Sequence, residues 1–272
     1  MITFRETLEA ALIIGIILAY LSKTKNTKYN KIVYLAILIG IIGSVVSAIL
    51  FNALAGGFEG KAEQIFEGIT MLFGAFLLGT VIIWMMKQKN VGKKLKDNLS
   101  VHLENSSKIG LFFLVFLSIL REGVETVIFM SAANFASKEN NLVSGILGIA
   151  FATLLGYLIF RTAAKLNIKK FFNISTVLLL LFGAGLASHG IHELEEAGIL
   201  PPLVEHVWDI NLPAVLAEQG IYPLFHENGS IGSLAKGLFG YNGNPSLLEV
   251  LSYLVYIFIF CLIYINLNIQ DA

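Results

Sequence analysis

Long apolar blocks separated by short polar segments dominate the pattern of the chain. A transmembrane helix needs about 20 consecutive, mostly apolar residues, and seven blocks reach that length. The seven predicted spans cover residues 2–21, 32–54, 64–86, 109–134, 142–164, 171–191 and 247–267. A spanning backbone finds no water in lipid, so each block is predicted to be an α-helix. The pattern therefore predicts an all-α integral membrane protein with a single membrane domain, residues 1–272.

The composition supports this class. The 272 residues are 56% hydrophobic and 14% charged, whereas a soluble domain carries about 25% charged residues. The formal net charge is zero, so nothing indicates nucleic acid as a partner. The one cysteine, Cys261, lies inside an apolar block and offers neither a disulfide framework nor a thiolate metal site. Charged residues interrupt the first apolar stretch and no small-residue cleavage site follows it, so no cleavable signal peptide is predicted.

Lysine and arginine residues fall on alternate loops. Fourteen of the 19 lie in the segments that follow the first, third and fifth predicted spans. Positively charged loops of membrane proteins stay in the cytosol. Seven spans with this alternation predict a multi-pass protein of the plasma membrane, with its N-terminus outside the cell and its C-terminus in the cytosol.

An Arg-Glu-x-x-Glu motif occurs twice, once in the first predicted span and once in the fourth. Its residues are Arg5, Glu6 and Glu9 in the first copy and Arg121, Glu122 and Glu125 in the second. Spans two and five also share a Gly-Ile pair, and spans three and six share Phe-Gly-Ala. We therefore predict an inverted repeat of three helices, spans 1–3 and 4–6, because an odd number of spans reverses the second copy. The predicted parts are repeat 1 at 1–90, repeat 2 at 109–195, an outer loop at 189–246 and a seventh helix at 247–267.

The charges inside these spans require compensation, since each costs about 2.5–3.5 kcal/mol at a helix centre. Helical spacing brings Arg5 beside Glu9 and Arg121 beside Glu125, four residues on. Two of the chain's three arginines lie in the motifs although lysines are far more numerous. Arginine can hold a carboxylate with two parallel hydrogen bonds and lysine cannot. Arg5 and Arg121 are therefore predicted to orient the glutamates and keep them ionised.

The depth of the two motifs predicts that they meet. Counted at 1.5 Å per residue, both lie about 21–26 Å from the cytosolic boundary. Antiparallel helices would bring Glu6 level with Glu125 and Glu9 level with Glu122. Four carboxylates with two arginines carry a formal charge of about −2 and suit a hard cation such as ferric iron, Mg²⁺, Ca²⁺ or Mn²⁺. A pair of buried salt bridges that only lock two helices is the structural alternative, and the excess carboxylate in each copy favours function.

Acidic and histidine residues also cluster at the predicted outer ends of the third and sixth spans. A cation that arrives from outside would meet them before the deeper glutamates, so they are candidates for an entry region that gathers ions. The candidates for this outer entry are Glu63, Glu67, His189, His192 and Glu193.

The two motifs and the seven spans resemble the iron permease family, which includes the fungal high-affinity ferric permease and the bacterial oxidase-dependent iron transporters, also called iron/lead transporters. The stretch from His189 to Gly198 resembles the family's pattern at the end of its sixth span. The resemblance implies uptake of ferric iron through Glu6, Glu9, Glu122 and Glu125, with iron as the transported substrate and no cofactor. It also implies a separate extracytoplasmic oxidase or iron-binding protein as a partner.

A membrane enzyme with a di-metal carboxylate centre is the main alternative. Such centres normally add Glu-x-x-His motifs on two further helices, and no histidine lies within the first five predicted spans. The sequence therefore favours a transporter and no catalytic residue is assigned. Transport of another hard cation and assembly into a homo-oligomer both stay open.

Overall fold

The computed structural model describes residues 2–87, 108–137, 142–162, 168–211, 222–227 and 229–270, and the regular structure in these ranges is helical. The helices are α1 (Ile2–Lys23), α2 (Asn30–Ala55), α3 (Lys61–Lys87), α4 (Lys108–Ser137), α5 (Leu142–Thr162), α6 (Ile168–Glu196), α7 (Ser230–Phe239) and α8 (Leu247–Gln270). A 3₁₀ turn, Thr27–Tyr29, precedes α2. A helix thus covers each of the seven apolar blocks within the described residues.

Within the part of the chain that the structure describes, four stretches are long and apolar enough to cross a membrane: Thr27–Ala55, Lys61–Ile83, Ile174–Glu196 and Leu247–Asn266. Leu142–Leu158 in α5 is a shorter apolar helix. Helices α1 and α4 each contain the three charged residues of one motif, and these interrupt otherwise apolar helices. The predicted class of all-helical, multi-pass membrane protein is confirmed.

The chain forms two compact units, and each is described by itself. The first unit comprises residues 1–54, 88–130 and 140–168, so its described helices are α1, α2, α5 and most of α4. The second unit comprises residues 55–87, 131–139 and 169–272, with α3, the end of α4, α6, α7 and α8. Both copies of the charged motif lie in the first unit.

Small residues bring α1 against α5 in the first unit. A side chain on Gly148 would collide with Thr3, and a Cβ on Gly156 would lie 2.8 Å from the Cβ of Ala11. Such close approach between backbones is typical of helices that pack in membranes. The contacts advance in the same direction along both chains, so α1 and α5 run parallel.

Helices α2 and α4 pack in a similar way. A Cβ on Gly40 would lie 2.9 Å from two carbons of Ile119, and one on Gly123 would collide with Ser44. These two helices therefore also run parallel. Thr3 and Ile119 each lie two residues before the arginine of a motif, and each contacts the glycine of a Gly-Ile pair.

Helices α1 and α4 run antiparallel. The C-terminal half of α1 contributes Ile17 and Leu21 to a buried apolar cluster, to which the N-terminal half of α4 contributes Leu111 and Val115. The charged motifs lie outside this apolar cluster, near the start of α1 and in the middle of α4. The packing therefore brings the motifs toward each other.

Two glycines set the contact between α3 and α6 in the second unit. A Cβ on Gly68 would lie 2.9 Å from the carbonyl oxygen of Gly190, and the reverse distance is 3.0 Å. Gly74, further along α3, faces Leu186, which lies earlier in α6. The two helices are thus antiparallel.

Helix α8 packs on α3. The Tyr256 hydroxyl donates a hydrogen bond of 2.8 Å to the Ala75 carbonyl, and Gly79 faces the ring of Phe260. These contacts advance in the same direction along both helices, so α3 and α8 run parallel.

The predicted outer loop, 189–246, contains helical structure at its start and in its interior. Helix α6 continues to Glu196, and α7 lies inside the segment. Two loop stretches are joined by backbone hydrogen bonds beyond α6, where Val207 N–H donates to the Pro245 carbonyl at 3.0 Å and Ile210 N–H to the Gly243 carbonyl at 2.8 Å. Helix α6 continues past the predicted boundary because its last two turns remain packed in the second unit, where Gly190 and Leu194 lie against Gly68.

Glycine ends α7 and lets the following loop approach α6. Gly240 has a φ of 66°, a left-handed conformation that favours glycine. Its Cα would meet any side chain placed on Gly185, one turn before His189. This contact positions the loop that leads into α8.

A polar network holds the same loop. The Glu227 carboxylate lies 3.3 Å from the Lys236 ammonium and accepts a hydrogen bond of 3.0 Å from Gly243 N–H. Burial alone would raise the pKa of the Glu227 carboxyl, but Lys236, Gly243 N–H and the Asn211 side chain outweigh burial and hold the pKa below its usual value. Glu227 is therefore a stabilising anion of this loop.

Candidate functional site

Three of the four predicted glutamates meet in the first unit. Glu6 and Glu9 from α1 and Glu122 from α4 each offer one carboxylate oxygen, and these oxygens lie within 4.8 Å of one another. Arg5 donates to Glu6, and its Nη2 lies 2.6 Å from Glu9 Oε1. One guanidinium thus orients both glutamates of its own motif, as the helical spacing predicts. We call Glu6, Glu9 and Glu122 the carboxylate cluster.

The fourth glutamate, Glu125, is held by its own arginine. Arg121 Nε lies 2.7 Å from Glu125 Oε1, so the predicted i,i+4 pair is present in the second motif as well. Glu125 stands outside the three-residue cluster but is near enough to interact electrostatically with Glu6 and Glu9. The structure therefore gathers three carboxylates directly and places the fourth beside them.

The two motifs differ in burial. Arg5 is 0% exposed and Glu6 is 1% exposed, whereas the Arg121 side chain is 54% exposed. Glu122 is buried at 7%. The two copies of the motif therefore lie in different environments, because Arg5 is covered by packed helices and Arg121 is not.

The charge of the carboxylate cluster suits a cation. Arg5 contributes one positive charge against three carboxylates, so the formal sum is −2. Glu6 Oε2 is buried and receives no hydrogen bond from a donor of the described residues, while Glu6 and Glu122 interact with each other. Buried carboxylates without compensating donors are costly, and a hard cation would bind such oxygens.

A second group of ligand-type side chains lies in the second unit. His192 and Glu195 on α6 and Glu249 on α8 offer atoms within 4.8 Å of one another. His192 Nδ1 lies 3.0 Å from Glu249 Oε1, and His192 Nε2 lies 3.2 Å from Glu196 Oε1. We call His192, Glu195 and Glu249 the histidine cluster.

Glu249 also begins α8. Ser246 N–H donates to Glu249 Oε1 at 2.9 Å, and Glu249 N–H donates to Ser246 Oγ at 3.2 Å, which is a reciprocal capping box. Asn242 donates to the other carboxylate oxygen at 2.9 Å, and the Ser246 hydroxyl donates to Glu195 Oε2 at 2.5 Å. Sequence reasoning assigned no role to Glu195 or Glu249. The Ser-Leu-Leu-Glu stretch before an apolar run is the signal that could have found the cap.

The predicted entry residues do not come together as one group. Glu63 is exposed and Glu67 is half-buried on α3, while His189 and Glu193 are buried on α6. His189 Nδ1 lies 3.1 Å from the Gly185 carbonyl oxygen. Of the five predicted entry residues, His192 alone belongs to a metal-ligand group within the described part of the chain.

Comparisons with known proteins agree with these features. The family model described as the iron permease FTR1 family matches residues 1–269. The ferrous iron permease EfeU of Escherichia coli O6:H1 is 30% identical over 263 residues, which cover 94% of this chain and 91% of that protein. The ferrous iron permease EfeU of Yersinia pestis is 31% identical over 266 residues, with 94% and 89% coverage. No solved structure matches the chain significantly.

These relatives are named as permeases, so the predicted transporter class is confirmed and the enzyme alternative is not supported. The match extends over both motifs and every described helix. The chain belongs to the iron permease FTR1 family.

Proposed function

We propose that the chain takes up iron by passing the ion inward through a site made by both Arg-Glu-x-x-Glu motifs. The observation that carries the proposal is the convergence of Glu6, Glu9 and Glu122 from two antiparallel helices. These three residues hold the ion, and Glu125 supplies the fourth carboxylate of the site. Arg5 and Arg121 keep the glutamates in position and limit the negative charge when no cation is bound.

The exposure of Arg121 supports a water-filled passage beside the site. Its side chain is 54% exposed in the middle of α4. An arginine that faces hydrocarbon at this depth costs about 2.5–3.5 kcal/mol or more, whereas one that faces water does not. A hydrated face next to Glu122 and Glu125 is what an ion pathway requires.

Helix directions support seven spans of alternating direction, and the lysine-rich segments after spans one, three and five favour an N-terminus outside and a C-terminus in the cytosol. If spans alternate, the first runs parallel to the fifth and antiparallel to the fourth, and the third runs antiparallel to the sixth. The packing of α1 with α5, of α1 with α4 and of α3 with α6 follows these directions.

Matching contacts support the inverted repeat of 1–90 and 109–195. Thr3 meets Gly148, and Ile119 meets Gly40. In each contact, the residue two positions before a motif arginine meets the glycine of a Gly-Ile pair in the other repeat. Inverted repeats with the site at their interface recur among transporters.

Ferric iron is the ion we propose at the carboxylate cluster, because oxygen-only ligands with excess negative charge suit a hard trivalent cation. The curated relatives are named ferrous iron permeases, so the oxidation state at entry needs a direct test. A separate extracytoplasmic oxidase or iron-binding protein is the proposed partner. The cluster lies within one chain, so its ligands require no second copy.

Uptake of radioactive iron into proteoliposomes tests the site. Glu122→Gln should abolish the flux, while the matched control Glu205→Gln, at an exposed outer glutamate, should keep it. Supplying the iron as ferric citrate or with ascorbate separates the oxidation states, and competition by Mn²⁺ or Mg²⁺ tests other hard cations. A normal rate in well-folded Glu122→Gln protein refutes the carboxylate site.

Cysteine labelling tests the topology. In a Cys261→Ser background, a reagent applied outside intact cells should label single cysteines in 55–62, 135–141 and 195–245 and spare those in 22–31 and 87–108. Labelling of the 87–108 segment from outside would overturn the proposed orientation, because this segment carries the densest group of lysines in the chain.

A further inference from the structure

The histidine cluster at the C-terminal end of α6 has the ligands of a metal site. We propose that His192, Glu195 and Glu249 bind a divalent transition-metal cation, with ferrous iron as the physiological ion. The choice of iron rests on the proposed function, whereas the site itself rests on the geometry of the second unit. None of these three residues belongs to the Arg-Glu-x-x-Glu motifs.

The distances allow the three side chains to share one ion. Their ligand atoms lie within 4.8 Å of one another, and two donors with metal bonds of about 2.1 Å lie up to about 4.2 Å apart. A small movement of the side chains therefore suffices. Glu195 Oε1 is buried and has no hydrogen-bond partner among the described residues, while its other oxygen is held by Ser246. One oxygen of Glu195 is thus available to an ion.

The surrounding residues orient the other two ligands. Ser246 and Asn242 fix the Glu249 carboxylate, which is 0% exposed. His192 Nε2 faces Glu196, and Gln64 donates to the second Glu196 oxygen at 3.0 Å. A histidine that ligates a metal usually donates its other N–H to a carboxylate. Nδ1 is then the nitrogen that would bind the ion, next to Glu249.

The donor set selects the class of cation. One imidazole nitrogen with two carboxylate oxygens suits borderline divalent ions such as Fe²⁺, Mn²⁺ and Zn²⁺, whereas the carboxylate cluster offers oxygens only. Both ring nitrogens of His192 face carboxylates, so without a metal the ring carries a proton on each. Binding forms a metal–Nδ1 bond and releases that proton to water. The remaining charge of −2 on Glu195 and Glu249 then balances a divalent ion.

The competing explanation is purely structural. Glu249 caps α8 and pairs with the His192 imidazolium, and this arrangement would hold the helices together without any ion. A nitrogen ligand distinguishes the two explanations, because a structural ion pair gives no metal–nitrogen bond. It also distinguishes this site from the carboxylate cluster, whose ligands are all oxygens.

Electron paramagnetic resonance with Mn²⁺ alone provides the test on full-length protein in nanodiscs. Wild-type protein and the Glu122→Gln variant should both bind Mn²⁺ with a ¹⁴N coupling from imidazole. His192→Gln should remove the coupling. Glu195→Gln and Glu249→Gln should weaken the ¹⁴N-coupled binding by at least about 10-fold, the loss expected when even an outer partner of a ligand is removed. Gln can also serve in a capping box, so Glu249→Gln should keep α8 capped.

Glu205→Gln is the matched control and should leave the coupling and the Mn²⁺ affinity unchanged. Absence of ¹⁴N coupling in the wild-type protein overturns the proposal, whatever the variants do. A coupling that survives in His192→Gln assigns the nitrogen to another histidine and overturns it too. If Glu122→Gln loses iron flux and keeps the ¹⁴N coupling, both sites are supported. If Glu122→Gln keeps both the flux and the coupling, the carboxylate site is refuted and the histidine cluster is not.

Discussion

Replacing the two motif arginines should have unequal effects on stability. Arg5 is buried and binds two carboxylates, whereas Arg121 is half-exposed and forms an ion pair with Glu125. Arg5→Gln leaves the buried Glu6 and the 16% exposed Glu9 without their cation. Arg121→Gln removes a guanidinium that solvent already reaches, and water at that position can partly compensate the charge of Glu125, whose side chain is 14% exposed.

The expected losses of stability follow from the burial of the two arginine side chains. Breaking a buried ion pair by removing one partner costs about 3–5 kcal/mol, while an exposed pair contributes about 0–1 kcal/mol. One kcal/mol shifts the melting temperature by about 2–4 °C in a chain of roughly this length. Arg5→Gln should therefore lower the melting temperature by about 6–20 °C and Arg121→Gln by at most about 4 °C.

The assay heats purified protein in detergent and measures the fraction that still elutes as a folded peak on size exclusion. Arg5→Gln combined with Glu6→Gln should recover part of the loss, because the double change removes one of the stranded charges, and the cycle isolates their interaction. Equal shifts for the two single arginine variants would refute the reasoning. They would mean that the packing around the two motifs is the same.

Three further changes test packing and charge. Gly40→Val should lower the free energy of unfolding by about 1–3 kcal/mol, because a Cβ there meets Ile119; an unchanged melting temperature would contradict the contact. Gly185→Ala should also lower the melting temperature, because its methyl group meets the backbone of Gly240, which cannot rotate away; wild-type stability would show that the loop does not approach α6 so closely. The pKa of Glu227 is lowered in the folded protein because its cationic and hydrogen-bonding partners outweigh burial, so its stabilisation is present above the unfolded pKa of about 4.3 and is lost as pH falls through the lower folded value. Glu227→Gln should therefore flatten the acid side of the profile of melting temperature against pH, and identical profiles would contradict the network.

The helices could be predicted from the sequence because each apolar block is long and continuous. The i,i+4 pairs Arg5–Glu9 and Arg121–Glu125 were also predictable, since they depend only on the local geometry of a helix. Counting residues from the charged loops gave the depth of the motifs. The equal depth predicted that all four motif glutamates would converge, and the structure brings Glu6, Glu9 and Glu122 together, with Glu125 outside this group.

The burial of the two arginines and the contact between His192 and Glu249 could not be predicted from the apolar blocks or the helical spacing. The two motifs have the same pattern, so nothing local indicates that Arg5 is covered and Arg121 half-exposed. That difference depends on which helices pack over each face. His192 and Glu249 belong to different helices that are far apart in sequence, and the depth of a residue does not tell in which direction around the helix its side chain points.

The two clusters keep their carboxylates inside the protein by different means. The carboxylate cluster relies on Arg5, a cation that never loses its proton, and it carries a formal charge of −2 when its three carboxylates are ionised. The histidine cluster relies on His192, whose proton can leave when a metal binds, and on a helix cap at Glu249. An ion that enters the carboxylate cluster displaces no proton from a protein cation, whereas one that enters the histidine cluster must displace the proton on His192 Nδ1. The first arrangement favours the cation with the highest charge, and the second favours a divalent ion that forms a strong bond with nitrogen.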